Sequence, residues 1–180
     1  MDRYVWMDLE MTGLDVINDV IVEIATVITD CELNIIAKGP NYVIHRPESV
    51  LTDLNPWVEK THTESGLLTR IRESNISHSQ AEQDTLDFIK RHTAVNTAPL
   101  CGNSIGTDRG FLQQHMPSIT DHLHYRNIDV TSVKILYEAM HSHAKPFEKN
   151  NTHRALDDIL ESIAELQYYS NVFFKKSSDV

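Results

Sequence analysis

Residues 4–13 read YVWMDLEMTG and determine the fold more than any other stretch of the chain. This apolar run of β-forming residues ends at Thr12 and Gly13, which is typical of a strand followed by a turn. Asp8 and Glu10 are two positions apart, so a strand places both carboxylates on one face. Two adjacent acids in apolar surroundings need a cation or a shared proton. Mg²⁺ or Mn²⁺, which prefer oxygen ligands, would meet that need.

The elements that follow are typical of a mixed sheet flanked by helices. Residues 20–28 and 33–44 read as two further strands, the second broken at Gly39 and Pro40, and short connections predict an antiparallel meander. One helix is predicted to start at residue 56 and another at the capping-box spacing of residues 79–82. Further helices are predicted at 108–115, at 131–141 and along an apolar stripe at 156–166, and short strands at 99–102 and 125–129. This order predicts an α/β fold.

Composition limits the class of protein. The 180 residues predict one domain spanning 1–180, with a core at about 4–170 and a short tail at 171–180. No stretch approaches the roughly 18 apolar residues of a membrane span. Two cysteines favour a reducing compartment, either a bacterial-type cytoplasm or an organelle interior, and of these we expect the cytoplasm. Sixteen basic and 26 acidic residues give a net charge of −10. Because long nucleic acids are bound by neutralising many phosphates, any nucleic-acid substrate should be short or engaged through local contacts.

Two further acidic positions are candidates for a metal site. Asp108 follows the strand at 99–102 and lies near the start of a helix, where an acid is ordinarily a cap. Residues 153–158, HRALDD, open the last helix. On an uninterrupted helix His153 and Asp157 are neighbours, whereas a helix that begins at or after His153 makes Asp158 available. Periodicity does not choose between the two acids.

Residues 6–14, 104–109 and 153–159 resemble the oligoribonucleases, members of the DEDD exonucleases of the His subclass with a ribonuclease H-like fold. Residues 55–58 with His62, and residues 125–130, also resemble that family, and the likeness extends from about residue 4 to residue 169. The chain departs from the family pattern at three positions, where Gln, Arg and Ser are usual: Thr107, Gly110 and Thr131.

The resemblance implies a metal-dependent 3′-to-5′ exoribonuclease that degrades very short oligoribonucleotides, down to dinucleotides, to nucleoside 5′-monophosphates. It implies two divalent ions, Mg²⁺ or Mn²⁺, with His153 as general base and four ligands: Asp8, Glu10, Asp108 and Asp158. It also implies a homodimer in which Tyr125 reaches across the interface. The implied substrate contacts are Leu14 and Trp57 at the terminal bases, His62 at the 3′-terminal nucleotide, and Ser104, Arg126 and Thr131 at the 5′ phosphate.

Other classes compete with this interpretation. Residues 102–106, GNSIG, match G-x-S-x-G, and Ser104, Asp129 and His153 follow the order of an α/β-hydrolase triad. That fold needs a larger parallel sheet and leaves Asp8 and Glu10 unexplained. Two histidine pairs, His122 with His124 and His141 with His143, suggest a zinc site, although solvated histidines are the simpler interpretation.

A non-catalytic nucleic-acid binding module would not require the four acids and the histidine together. Within the exonuclease class, an enzyme that trims structured RNA ends or a proofreading subunit is the alternative. Either one needs an open and preferably basic channel, which the net charge of −10 disfavours.

Overall fold

A computed structural model of the chain describes residues 2–140, 145, 147–148 and 154–173. Its five strands are β1 Tyr4–Met11, β2 Ile21–Thr29, β3 Ile35–Val43, β4 Pro99–Gly102 and β5 His124–Asp129. Its helices are α1 Glu48–Leu51, α2 Pro56–Glu64, α3 Leu67–Glu73, α4 His78–His92, α5 Gly106–His115, α6 Pro117–His122, α7 Val130–Met140 and α8 Ala155–Phe173. The predicted α/β class is confirmed.

The strands form one mixed sheet in the order β3-β2-β1-β4-β5. The first three strands are antiparallel, as the meander prediction requires, whereas β4 and β5 run parallel to β1. The carboxyl ends of β1, β4 and β5 therefore meet at one edge of the sheet, which is where α/β proteins commonly place their sites.

Alternation along β1 divides the core into two layers. Val5, Met7 and Leu9 face a cluster formed with α4, α5 and α6. Trp6 faces the opposite cluster, which contains the apolar stripe of α8. Since side chains two apart share a face, Asp8 and Glu10 lie on the α8 side of the sheet.

Two local predictions were wrong. Strand β3 continues through Gly39 and Pro40. A Cβ at Gly39 would lie 2.5 Å from the Phe88 ring, so glycine serves close packing there, and proline is tolerated because β3 is an edge strand. Helix α4 is capped by Ser77, whose Oγ accepts from the Gln80 N–H, and does not begin at the 79–82 box. The helix predicted to end before Pro117 does so, since α5 ends at His115, and Pro117 begins the short helix α6, which was not predicted.

Among the residues that the structure describes, none of the helices combines the length and apolar character that crossing a bilayer requires. Most of the predicted polar linker at 144–152 lies outside those residues, as does the end of the predicted tail beyond Phe173.

Candidate active site

Three carboxylates converge at the end of β1. Asp8, Glu10 and Asp158 each place an oxygen within 4.8 Å of the others, and no second group of this kind occurs in the described part of the chain. Asp8 and Glu10 come from the strand, and Asp158 comes from the first turn of α8, which begins at Ala155. Asp157 is exposed, so the structure places Asp158 in the cluster and leaves the competing acid in solvent.

Asp108 reaches the same strand from the opposite layer. It is buried in the first turn of α5, and its Oδ1 accepts a hydrogen bond from the Leu9 N–H at 3.0 Å. Strand β4 pairs with β1 only at Val5 and Trp6, so it ends before Leu9 and leaves that N–H for the carboxylate. The backbone of β1 thus anchors Asp108 beside the other acids.

The four acids are held together against their mutual repulsion. Burial raises the pKa of Asp8 well above its ordinary value, and the charges of Asp108, Asp158 and Glu10 raise it further. Burial, with Asp158 and Glu23 as the next causes, raises the pKa of Glu10 from 4.5 to about 8. Burial also raises the pKa of Asp108 from 3.8 to about 7. Such carboxylates must bind either protons or cations.

The donor set fits hard divalent ions. All four side chains offer oxygen, the ligand that Mg²⁺ and Mn²⁺ prefer, and none offers the sulfur or imidazole typical of structural zinc. The clustering of three partly buried acids beside the buried Asp108, with raised pKa values at Asp8, Glu10 and Asp108, is the observation that favours a metal centre here.

A pocket of about 390 Å³ opens next to Glu10. Leu14 from the loop after β1 and Trp57 from the first turn of α2 line it, and their side chains are 77% and 64% exposed. Asn55 caps α2 by accepting from the Trp57 N–H at 2.9 Å, which fixes the backbone that carries the indole. Two large apolar side chains exposed beside an acidic cluster suit contact with a flat ligand.

His62 also lines this pocket but is buried. Its Nε2–H donates to the Met11 carbonyl at 2.9 Å, and its Nδ1 lies 4.0 Å from Glu10 Oε2. The histidine therefore ties α2 to the end of β1 and keeps its ring beside the carboxylate cluster.

The remaining predicted contacts form two pairs: Ser104, in the turn after β4, with Thr131 in the first turn of α7, and Tyr125 with Arg126 on β5. The Ser104 N–H donates to both Asp129 Oδ1 and Thr131 Oγ1 at 2.9 Å, with the Ser104 backbone at φ 49°. Arg126 places its guanidinium carbon 5.4 Å from the centre of the Tyr125 ring, and both side chains are exposed on β5, the edge strand. Ser104 and Thr131 follow the carboxyl ends of their strands, whereas Tyr125 and Arg126 lie near the start of β5.

The structure also bears on the competing interpretations. His153, common to the proposed general base and the hydrolase triad, lies outside the described residues, as do His141 and His143. The other two members of the predicted triad form local hydrogen bonds. Ser104 Oγ lies 3.2 Å from Thr131 Oγ1, and Asp129 Oδ1 accepts hydrogen bonds from the backbone N–H groups of Ser104 and Thr131.

His122 and His124 have separate partners. His122 Nε2 forms hydrogen bonds with the hydroxyl and the carbonyl of Thr93. His124 Nδ1 accepts a hydrogen bond from the Arg126 N–H, and the His124 ring stacks on Tyr125. Neither histidine belongs to a group of ligands within the described part of the chain.

Sequence reasoning missed Glu23 and its partner Arg154. Glu23 is fully buried in β2, and Arg154 binds it with two hydrogen bonds of 3.1 and 2.8 Å. The available signal was a lone acid inside the apolar run at residues 20–28, because a charge in a buried strand requires a partner.

Comparisons with known proteins agree with this geometry. A family model described as exonuclease matches residues 5–166. The oligoribonuclease of Francisella tularensis subsp. tularensis is 52% identical over 93% of this chain and 94% of its own length. Those of Marinobacter nauticus and Shewanella loihica are 48% and 50% identical, over 97% and 95% of both chains respectively.

Solved structures show the same fold at low identity. Exonuclease I superposes with a TM-score of 0.75 at 13% identity, covering 95% of this chain and 41% of that chain. The zinc-bound complex of E. coli exonuclease I with single-stranded DNA gives 0.71 at 13%, covering 96% and 41%. This chain therefore spans about two fifths of the length of those proteins.

The mixed sheet and the acidic cluster at its edge define a nuclease of the ribonuclease H-like exonuclease class, a hydrolase of phosphodiester bonds. With relatives near 50% identity over almost the whole chain, the protein belongs to the oligoribonuclease family. The family resemblance and the predicted fold class are confirmed.

Proposed function

We propose that this protein is a 3′-to-5′ exoribonuclease that degrades very short RNA, down to dinucleotides, to nucleoside 5′-monophosphates. One observation carries the proposal: Glu10 belongs both to the carboxylate cluster and to the lining of the pocket beside it. A terminal nucleotide in that pocket would present its phosphodiester to the cluster. The name of the relatives at about 50% identity supports RNA oligomers as substrate.

Asp8, Glu10, Asp108 and Asp158 would hold two divalent ions, Mg²⁺ or Mn²⁺. When bound, such ions polarise a phosphoryl oxygen and lower the pKa of an attacking water. The carboxylates give up their protons to bind cations, and Asp108 remains oriented by the Leu9 N–H. His153 would accept a proton as general base, since its unperturbed pKa of about 6.5 suits neutral pH. Its assignment rests on the family likeness.

Leu14 and Trp57 would pack against the two terminal bases. Stacking on an aromatic ring tolerates every base, which suits an enzyme that must accept any short sequence. His62 would help hold the 3′-terminal nucleotide, and its Nε2–H bond to Met11 supports this by fixing the ring in the pocket.

Ser104, Arg126 and Thr131 would bind the 5′ phosphate and so limit substrate length. Support comes from the hydrogen bonds that fix Ser104, in the turn after β4, to Thr131 in the first turn of α7. Arg126 lies on β5, the strand next to β4. A site closed at the 5′ end also agrees with the acidic net charge, because a short substrate needs few phosphate contacts.

A second copy of the chain would complete the site with its Tyr125. Helix α7 exposes Ile135, Leu136 and Met140 by 59% or more, and Tyr125 is 72% exposed. Apolar side chains exposed together on one helix favour an interface over a free surface. A homodimer would bury them and place Tyr125 near the partner's substrate.

We further propose that residues 1–180 act as one exonuclease domain and that the enzyme works in the cytoplasm. The match of the family model to residues 5–166 supports the first point. A sequence with only two cysteines supports the second, because it offers no disulfide framework.

A time course on 5′-labelled RNAs from dinucleotide to twentymer tests the proposed function. Each RNA is incubated with Mg²⁺, with EDTA, and with the Asp108→Asn protein. Rapid metal-dependent conversion of the dinucleotide, with the twentymer barely shortened, is the expected result. Faster shortening of the twentymer would indicate an RNA-trimming enzyme, and no cleavage under any metal condition would overturn the proposal.

A further inference from the structure

Glu23 is a fully buried carboxylate next to the proposed metal ligands. It lies in β2, whose nine residues are all buried, and it is the cross-strand partner of Glu10 in β1. Paired residues of neighbouring strands point to the same face of a sheet. Glu23 therefore adds negative charge beside the acidic cluster without belonging to it, and a buried charge of this kind requires a partner.

Arg154 is that partner, and it also contacts Asp158. Its Nε and Nη2 donate to the two oxygens of Glu23 at 3.1 and 2.8 Å. Its backbone carbonyl accepts a hydrogen bond from the Asp158 N–H at 3.0 Å, and this bond closes the first turn of α8. One residue thus joins the strand beside Glu10 to the helix residue that carries the third carboxylate.

The apolar face of α8 cannot fix the position of the helix as accurately as this ion pair does. Ala155, Ile159 and Ile163 are buried and hold the helix against the sheet. Apolar contact is non-directional, so it tolerates small sliding or rotation of the helix. A bidentate arginine–carboxylate pair fixes both distance and angle because the guanidinium fork is planar and rigid. Carboxylates that share an ion need that accuracy.

We propose that Glu23 and Arg154 are a positioning pair that sets the Asp158 carboxylate relative to Glu10, and thereby the divalent-metal affinity of the site. The inference rests on the proposed function, because it assumes that the cluster binds metal. Neither residue touches substrate or ion; the pair acts through Asp158.

Replacing Arg154 separates positioning from charge. Loss of a cation near a metal site would, by Coulomb's law alone, tighten binding of a divalent ion. Loss of positioning would weaken it. The Arg154→Met variant therefore gives opposite signs under the two explanations.

Mn²⁺ titrated into metal-free protein without substrate, followed by calorimetry, measures this directly. Arg154→Met is expected to raise the Kd for Mn²⁺ by about 10- to 100-fold, the usual effect of losing a group that orients a ligand. Arg154→Lys keeps the charge without the fork and should restore only part of the affinity.

Arg70→Met is the matched control. Arg70 is the second cation facing Glu23, with Nη1 at 3.9 Å, but it belongs to α3 and its side chain is 42% exposed. Its loss should change the Kd by less than about threefold, because the contact is long and the arginine is partly solvated. An Arg154→Met protein that binds Mn²⁺ as tightly as Arg70→Met would overturn the inference.

Arg154→Met leaves Glu23 buried without its main partner and can unfold the chain. The Glu23→Gln/Arg154→Met double variant removes that charge, and circular dichroism verifies its fold. It should bind Mn²⁺ as weakly as the single variant. A return to wild-type affinity would contradict a positioning role.

Kinetics on a dinucleotide complete the test. The Arg154 variants should lower kcat and leave KM unchanged, since the base pocket is intact. A wild-type protein that neither binds Mn²⁺ nor cleaves short RNA would overturn the proposed function and this inference with it. A fully active wild type with indistinguishable Arg154 and Arg70 variants would overturn the inference alone.

Discussion

At the scale of single residues, the acids of the site act on stability as well as on chemistry. Burial raises the pKa values of Asp8, Glu10 and Asp108 and so favours their protonated forms, and repulsion from neighbouring acids adds to the shift at Asp8 and Glu10. Functional sites often store such destabilisation, which is relieved when the intended ligand binds.

The metal-free protein should lose stability as the pH rises. The folded-state pKa values of Glu10 and Asp108, about 8 and about 7, exceed the ordinary values of 4.5 and 3.8. Between the ordinary and the folded-state pKa values, the folded state therefore binds more protons than the unfolded state. The stability that these protons contribute is fully present below pH 4 and is lost as the pH rises through 7 to 8. Thermal unfolding in EDTA should show Tm falling by about 5 °C or more between pH 5 and pH 9, at about 2–4 °C per kcal/mol for this chain length.

The Glu10→Gln/Asp108→Asn variant is the control for this dependence. Without the two titrating carboxyls, its Tm should be nearly flat over the same pH range. Equal slopes for variant and wild type would show that other groups cause the effect. Mn²⁺ added at pH 8.5 should raise the Tm of the wild type and leave that of the variant unchanged.

Adjacent acids at the start of α8 give a matched pair of substitutions. Asp158→Asn should lower kcat/KM for a dinucleotide by more than about 100-fold, because even a group that merely orients a ligand costs 10- to 100-fold. Asp157→Asn, one position away and exposed, should leave it unchanged. Steady-state kinetics with Mn²⁺ measures kcat/KM for both variants. Comparable losses of kcat/KM in the two would contradict the placement of Asp158 in the site.

At the scale of elements, the pocket depends on how a loop and a helix start are held. The Asp19 carboxylate accepts hydrogen bonds from the Thr12 hydroxyl and the Asp15 N–H, and these bonds fix the loop that carries Leu14. The Asn55 cap fixes the first turn of α2 and with it Trp57. Both exposed side chains are therefore presented on backbone that is already ordered, which reduces the entropy lost on binding.

Substituting these side chains should affect binding and spare the fold. Trp57→Ala and Leu14→Ala remove exposed groups, so Tm should change little. Each should lower kcat/KM for a dinucleotide by about 5- to 150-fold, the equivalent of 1–3 kcal/mol for a lost base contact. Ile17→Ala is the control, since Ile17 is 70% exposed on the same loop and outside the pocket lining. A loss of activity in Ile17→Ala equal to that in Leu14→Ala would exclude a specific base contact.

At the scale of the whole molecule, the site joins elements that are distant in sequence. The sheet order places β4 beside β1, and two layers of helices deliver Asp108 from one side and Asp158 from the other. The proposed partner subunit would add Tyr125, so that a complete site would exist only in the dimer.

Mixing two inactive variants tests the shared site. Tyr125→Ala and Asp108→Asn homodimers should each be inactive on dinucleotides. After subunit exchange, a mixed dimer contains one site with all four acids and the Tyr125 of the other chain. Random pairing makes about a quarter of all sites complete, so about a quarter of wild-type activity should return. Sedimentation of Leu136→Asp protein should show a monomer. No recovery on mixing, or a monomeric wild type, would remove the proposed role of Tyr125.

The errors in the prediction from sequence are local, and they have local causes. Gly39 and Pro40 read as a break because both disfavour strands, yet the Phe88 ring and the free edge of β3 accommodate them. The cap of α4 was placed two residues late because Ser77 and Ser79 are equally good caps, and only the Gln80 N–H identifies the one in use.

The sequence by itself determined the alternation that puts Asp8 and Glu10 on one face, the apolar stripe of α8 and the three-strand meander. These follow from periods of 2 and 3.6 residues, which depend on neighbours along the chain. Periodicity left Asp157 and Asp158 open, the family resemblance indicated Asp158, and the structure places Asp158 in the cluster. Only the tertiary structure joined Asp108 to Leu9 across 99 residues and paired Glu23 with Arg154 across 131. The physical reason is that a period shows which face of an element is apolar, whereas the element packed against that face is decided by burial of the whole chain at once.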